Sequence, residues 1–431
     1  MRTRIDPRGP VFISYRQSDG REIAVALAWA LRAAGVPVWH DQTDLPPGDT
    51  DRRLAEALSS GLSGAVLVVT PDIASSEAIR DIELPRLLKL ENNAEFTLAV
   101  GSTIERRDGT GSLDYSAPDR LLRLATRTVG RLNQKPVAAA DERAALAHSM
   151  SRQRMERLRS DVQQSSRLLT LDVQTRVPPF AGGMDGDLVL RLRPPDEGER
   201  RPHRGGLLDL QRFLGHLPQL VAIAGAGAVR VRGGAHLSVA CALGAALPTT
   251  LMGTVEVLDT QGGRWVLSGQ APSPVGDRLC VPVTPPVYNF DDGPVLVYID
   301  LLPQQSDVAF THFPDRDQTF AGVAHLRYTG DGLLDPNQAA AIVGELAADI
   351  RSLASTHHTT EVHLLLRCPY PIALLLGRTL NTLTIHLYEW ENSPDGDAEP
   401  SPLYVPSVVL RSGTGGSPIH AVTAPLSAAE S

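Results

Sequence analysis

Glu83 lies in the run SSEAIRDIELPRLLKL, residues 75–90, with Ile79, Ile82, Arg86 and Leu87 around it at helical spacing. That spacing places its carboxylate on or beside the apolar stripe of a helix rather than on the solvated face. A carboxylate so placed is either ion-paired for structural reasons or held for chemistry. A second polar group closes the segment VFISYRQSD, residues 11–19, where Tyr15, Arg16, Ser18 and Asp19 follow strand-favouring residues. Trp39, His40 and Asp41 form a third, and the stiff turn DLPPGD after them has in Gly48 a flexible point able to cover a pocket. Together they make a polar rim around an acid, of a size suited to a nucleotide.

The elements that must position these groups alternate over the first 130 residues. VFISY reads as a strand, REIAVALAWALRAAG as an amphipathic helix ending at Gly35, and VPVWHD as a second strand. DRRLAEALSSG is then a helix, GAVLVVTPD a third strand, the Glu83 run a helix and EFTLAVG a fourth strand. Such alternation builds a parallel sheet covered on both faces, with ligands beyond the carboxyl ends of its strands.

At 431 residues the chain is long enough for two or three domains. A composition of 42% hydrophobic and 21% charged residues is that of a soluble protein. No apolar run approaches the roughly 20 residues of a membrane span, and MRTRIDPRGP lacks a signal-peptide core, so a cytoplasmic location is expected. The net charge of −8 argues against coating duplex nucleic acid. Lys89 and Lys135 are the two lysines and neither lies in a phosphate-binding GxxxxGK[ST] loop, so any bound phosphate meets arginine or backbone N–H groups. Cys241, Cys280 and Cys368 show no paired spacing, and no metal or cofactor is expected. GAGAVR, residues 225–230, lacks the third glycine of a dinucleotide fingerprint.

Residues 141–167 are arginine-rich with interleaved acids and read as a solvated connecting helix. Residues 412–431 read as a flexible tail. Between them lies an internal repeat. Residues 228–257 set over residues 361–390, an offset of 133, give seven identities in thirty positions, including Gly244/Gly377 and Glu256/Glu389. Each copy reads strand, loop, helix, strand, the layout of a duplicated unit with a pseudo-twofold pocket. At the strand-to-helix junctions lie His236, Leu237 and Ser238 in one copy and Arg367, Tyr370 and Pro371 in the other. Free N–H groups there favour phosphate, and ordinary capping, with Ser238 as the cap and Pro371 in a first turn, explains the same residues.

VFISYRQSD, the loop 41–48 and SSEAIRDIEL together resemble the Toll/interleukin-1 receptor (TIR) domain in its NAD-cleaving bacterial branch, over residues 10–129. The resemblance implies a flavodoxin-like parallel sheet and a catalytic glutamate on the helix after the third strand, the position of Glu83. It implies nucleotide contacts from Phe12, Ser14, Tyr15 and Arg16, with Trp39, Asp41 and Gly48 bordering the pocket. For Phe12 a core role is an equal reading. The family's usual Trp-Cys pair before the glutamate is replaced by Ile79 and Arg80.

DVAFTHF, the helix in DPNQAAAIVGELAADIRSL, EVHLLLRCPYPIALLLGRTL and TLTIHLYEWE resemble the SAVED domain, built of two fused CARF-like (Rossmann-like) α/β halves that bind cyclic oligonucleotides. The expected architecture is a TIR domain at 8–135, a polar linker at 136–184, and SAVED at 185–411 with halves near 205–270 and 294–392. A TIR–SAVED fusion resembles effectors of CBASS anti-phage systems. By that resemblance the partners are NAD+ and a cyclic oligoadenylate, a trinucleotide (cyclic triadenylate), with self-association into an oligomer or filament that completes the active sites. Thr311, His312 and Arg378 join the junction residues as expected ligand contacts. The alternative function is a non-catalytic TIR scaffold that recruits partners.

Overall fold

The computed structural model describes residues 5–39, 61–176, 184–249, 252–269, 278–283, 287–289, 291–313, 319–392, 402–411 and 416–426. The chain divides into two compact units, one of Met1–Ser166, Met184–Arg191 and Ala222–Gly225, the other of Arg167–Gly183, Leu192–Val221 and Ala226–Ser431.

The first unit is built on a five-stranded sheet ordered β2-β1-β3-β4-β5. Its strands are β1 (Val11–Ser14), β2 (Val38–Trp39), β3 (Gly64–Val69), β4 (Thr97–Ser102) and β5 (Gln134–Pro136), every neighbouring pair parallel. Strands β1, β3 and β4 are buried along their whole length, which is why they read as continuous apolar runs rather than alternating ones. Helix α1 (Gln17–Ala33) ends where expected, with Gly35 in the left-handed region at φ 77°. β7 (Leu188–Arg191) returns from later in the chain to lie against α1.

The arginine-rich segment is not a solvated connection. It forms α3 (Ala140–Gln164), which packs on α1, β4 and β5 within this unit. Leu146, Met150, Arg154, Leu158 and Val162 recur every fourth residue and are all buried. The charges that dominate the composition occupy the rest of the helix surface. Arg154, in mid-stripe, donates to the carbonyls of Asp187 (2.7 Å), Gly9 (2.9 Å) and Arg8 (2.7 Å). Burial pulls its pKa down to about 10 and still leaves it charged, so these three acceptors are what make its position tolerable.

The second unit holds two further sheets. In the first, β6 (Leu168–Gln174), β8 (Ala228–Gly234) and β9 (Thr254–Leu258) run parallel, and β10 (Arg264–Ser268) pairs antiparallel with β9. The other is eight-stranded, ordered β11-β14-β13-β15-β16-β17-β18 with β12 on β14. Its strands are β11 (Cys280–Pro282), β12 (Val287–Tyr288), β13 (Val295–Asp300), β14 (Gly322–Tyr328), β15 (Glu361–Arg367), β16 (Thr384–Asn392), β17 (Pro402–Arg411) and β18 (Ile419–Val422). β13 to β16 are mutually parallel. β6 belongs to the first of these sheets, and within residues 412–431 the strand β18 pairs with β17.

The repeat is realised at its offset of 133 for the first strand and the helix of each copy. β8 and β15 correspond end to end, as do α4 (Leu237–Ala246) and α6 (Tyr370–Thr379). α4 packs directly on α6 through the matched glycines. A Cβ on Gly244 would sit 1.9 Å from the Leu374 carbonyl oxygen, and one on Gly377 would sit 2.2 Å from that of Cys241. Residues 241 and 374 are themselves repeat partners, so the contact has the expected pseudo-twofold symmetry. α5 (Ala339–Thr356) covers the eight-stranded sheet with Ile342, Leu346 and Ile350 buried.

Candidate functional site

In an order 2-1-3-4-5 sheet the connections leave β1 and β3 in opposite directions, opening a crevice at their carboxyl ends. A cavity of about 480 Å³ occupies that place, lined by Phe12, Tyr15, Arg16, Trp39, Ile79 and Glu83 among others. Glu83 is brought there by an irregular helix. Pro85 lacks an N–H and its ring crowds the carbonyl of residue 81, so a regular helix does not run through the segment. Ala78–Glu83 is a π-helical turn, and α2 (Leu84–Glu91) resumes after it. The single helix expected over 75–90 is therefore two pieces with Glu83 at their junction.

Ser14, the last residue of β1, donates its hydroxyl to Glu83 Oε2 at 2.6 Å, and both side chains are buried. The Phe12 and Trp39 rings face each other at 5.6 Å, tilted by 38°. Phe12 is 7% exposed, so it is a core residue with one edge on the cavity. Arg16 Nε is buried with no hydrogen-bond partner among the described residues. Arg16 is also the N-cap residue of α1, and a helix N-terminus favours a phosphate. Asp81 points away from the cavity, paired with Arg80 at 2.8 Å in the open.

Of the expected first-unit residues, Phe12, Tyr15, Arg16, Trp39 and Glu83 share one cavity and Ser14 backs Glu83. Asp41 and Gly48 lie outside the described residues. Asp19 is structural, since it accepts from the Thr70 hydroxyl (2.6 Å) and the Asp72 N–H (2.8 Å). Gln17, Ser76 and Ala78 also line the cavity and were missed. They flank the quoted motifs directly, which was the available signal.

In the second unit the expected residues separate. Thr311 and His312 line an open cavity of about 340 Å³ with Ser306, Asp307 and Arg327. Arg327 was missed, although VLVYID, GVAHLRY and EVHLLLR are three strands that each reach a charged residue at or near the carboxyl end. Asp300 is the register partner of both Arg327 and Arg367, so two guanidiniums flank one buried carboxylate at the sheet's carboxyl edge. Arg367 Nη1 donates to Asp300 Oδ1 at 2.6 Å. Tyr370 donates its hydroxyl to the Leu258 carbonyl at 2.8 Å, and Pro371 lies in the first turn of α6 as expected. Arg378 is fully buried and donates to the carbonyls of Met252 and Gly253.

The first junction is closed from within. His236, not Ser238, is the N-cap residue of α4, with Leu237 half-buried as the first helical position. The Ser238 N–H (2.7 Å) and hydroxyl (2.6 Å) both donate to Glu389 Oε1, so a carboxylate from β16 occupies the helix terminus. Burial raises the pKa of that carboxyl. His236 is held by Thr175 and by the Arg200 carbonyl, each at 2.8 Å, and desolvation pushes its pKa down to about 3.

Two α/β modules thus carry distinct cavities, one around a buried carboxylate and one beside Arg327 at a strand edge. The chain has an N-terminal TIR domain, matched over residues 11–106, and a C-terminal SAVED domain (SMODS-associated and fused to various effectors sensor domain), matched over residues 215–410. NAD(+) hydrolase PdTIR of Paracoccus denitrificans (strain Pd 1222) is 42% identical over 65 residues, 15% of this chain. The chain thus spans 22% of that relative. The Acinetobacter baumannii Cap4 SAVED/CARF-domain containing receptor with the cyclic trinucleotide 2'3'3'-cAAA superposes over 91% of this chain and 98% of its own, with a TM-score of 0.45 and 13% identity. For the Moraxella osloensis Cap4 SAVED/CARF-domain containing receptor the coverages are 89% and 98%, with a TM-score of 0.39 and 13% identity. Among the described residues no helix is long and apolar enough to cross a membrane.

Proposed function

We propose that this protein is an NAD+ glycohydrolase whose activity is turned on when its SAVED domain binds a cyclic oligonucleotide, a cyclic trinucleotide of adenylates. The observation that carries the reading is the Glu83 carboxylate, buried beside a nucleotide-sized cavity and fixed by Ser14 at 2.6 Å. Breaking the nicotinamide–ribose bond sends the electron pair into the nicotinamide ring, which leaves neutral, so no general acid is needed. The ribosyl group left behind is cationic at its anomeric carbon, and a fixed carboxylate stabilises it. Water adds to that carbon and loses a proton to solvent, giving ADP-ribose; attack by an adenine nitrogen gives a cyclic isomer instead. Trp39 is the stacking wall, with the edge of Phe12 beside it, and Arg16 takes a phosphate.

The control follows from linkage. A ring bound between the SAVED halves favours the self-associated state only if it binds that state more tightly. Self-association then completes the active sites, and NAD depletion during phage infection is the biological output. Nicotinamide release by the purified protein, followed with a panel of cyclic di-, tri- and tetranucleotides, tests both halves. Release with one ring, lost in Glu83→Gln, is expected. Ring binding without release from any member of the panel would make the TIR domain a scaffold.

A further inference from the structure

The SAVED unit carries a cluster that the function above does not use. His363 on β15 and His386 on β16 are register partners on adjacent parallel strands, so their side chains leave the same face of the sheet. The two rings lie 4.3 Å apart and 3° from parallel. Glu361, two residues before His363 and therefore on that face, reaches His386 Nε2 with Oε1 at 3.0 Å. One donor atom from each of the three residues falls within 4.8 Å of the others. The geometry points to a site for a divalent ion of the zinc class, held by Glu361, His363 and His386 with a fourth position open to water.

Ligand atoms around a tetrahedral zinc-class ion lie about 3.3 Å apart, given bond lengths of about 2.0–2.1 Å. The Glu361–His386 pair already approaches that bite. Closing on His363 requires one imidazole to turn out of the stack, since a single ion cannot lie in the planes of two parallel rings; the solvent-facing Glu361 and His386, with half and a quarter of their side chains exposed, are the ones able to turn. Tyr388, two residues past His386 on the same face, holds His363 Nδ1 at 2.7 Å, leaving Nε2 as the ligand atom. Phe320 fixes the ring edge-on at 4.8 Å. Such outer partners orient an imidazole toward an ion.

A comparison within the same sheet sharpens the case. Asp300, Asp307 and His325 also bring three donor atoms together, but Arg367 and Arg327 already occupy those carboxylates. Those carboxylates are therefore not available to a cation. At the histidine pair the described interactions are with each other, Glu361 and neutral aromatic groups. Two imidazoles with one carboxylate select borderline ions over magnesium or calcium.

The test uses the full chain dialysed against chelator and titrated with Co2+, then Zn2+. The expected result is one Co2+ per chain with the absorption of a tetrahedral centre, displaced by Zn2+. His363→Ala and His386→Ala each weaken binding at least tenfold, Glu361→Gln about tenfold, and the exposed His420→Ala leaves it unchanged. Absence of Co2+ binding, or equal affinity in all variants, overturns the proposal. Should the histidine variants lose their circular dichroism signal, Glu361→Gln decides, because its side chain is half exposed; unchanged affinity there overturns it as well. The site does not rest on the NADase reading, since metal binding is measured without NAD or activator.

Discussion

At the scale of single residues, the chemistry concentrates on one pair. Glu83→Gln keeps the shape and removes the charge that faces the developing cation, so nicotinamide release under activating conditions should fall by at least a hundredfold. Chromatographic assay of nicotinamide reads this directly, and retention of activator binding separates lost chemistry from lost folding. Ser14→Ala takes away the hydroxyl at 2.6 Å from Oε2 and leaves the carboxylate in place. If Ser14 positions Glu83, kcat drops about tenfold with KM nearly constant, for a lost hydrogen bond to a charged group contributes about 1.5–3 kcal/mol. A rise in KM alone would make Ser14 a substrate contact. Glu83 was visible as an acid at an apolar helical position. Ser14 was named only as a nucleotide contact, and its pairing with Glu83 was not legible, because residues 14 and 83 meet only once β1 and β3 are side by side.

At the scale of elements, legibility depended on whether polarity matched burial. β1, β3 and β4 are buried along their whole length and read correctly, whereas the short polar β5, Gln134–Pro136, was not read as a strand. α3 was read as a helix but not as a packed one, because Arg154 sits inside its buried stripe and arginines fill its exposed faces, so composition outweighed periodicity. The π turn before α2 was also missed, although Pro85 was the cue. The repeat was legible through Gly244 and Gly377, whose roles follow from backbone contact rather than from turn geometry. Gly377→Ala forces a Cβ within 2.2 Å of the Cys241 carbonyl, so α4 and α6 must separate. We expect a loss of about 1–3 kcal/mol in the SAVED unfolding transition, seen as a lower melting temperature. Gly109→Ala, with open space around its Cβ position, serves as the comparison and changes stability through its backbone φ of 72° alone.

At the scale of the whole SAVED unit, titration links its two halves to pH. Folded His236 has its pKa pushed by burial to about 3, whereas an unfolded histidine titrates near 6.5. Below pH 6.5 the unfolded chain takes up a proton that the folded chain refuses. The stability of the neutral imidazole is therefore fully present above pH 6.5 and is lost progressively as pH falls toward 3, by at most about 1.4 kcal/mol per pH unit. Glu389, packed on Ser238 across the halves, acts with the opposite sign. Its raised pKa makes the folded chain hold a proton the unfolded chain releases, so its contribution favours folding at low pH and is lost as pH rises through its folded value. Arg176 lowers the pKa of both groups. The two titrations overlap, and the variants that separate them are His236→Gln, which should flatten the decline between pH 6.5 and 4, and Glu389→Gln, which should steepen it. Melting temperatures of the three proteins across that range measure this. Identical slopes in wild type and His236→Gln would mean that His236 is protonated in the fold, contrary to its burial between Thr175 and the Arg200 carbonyl.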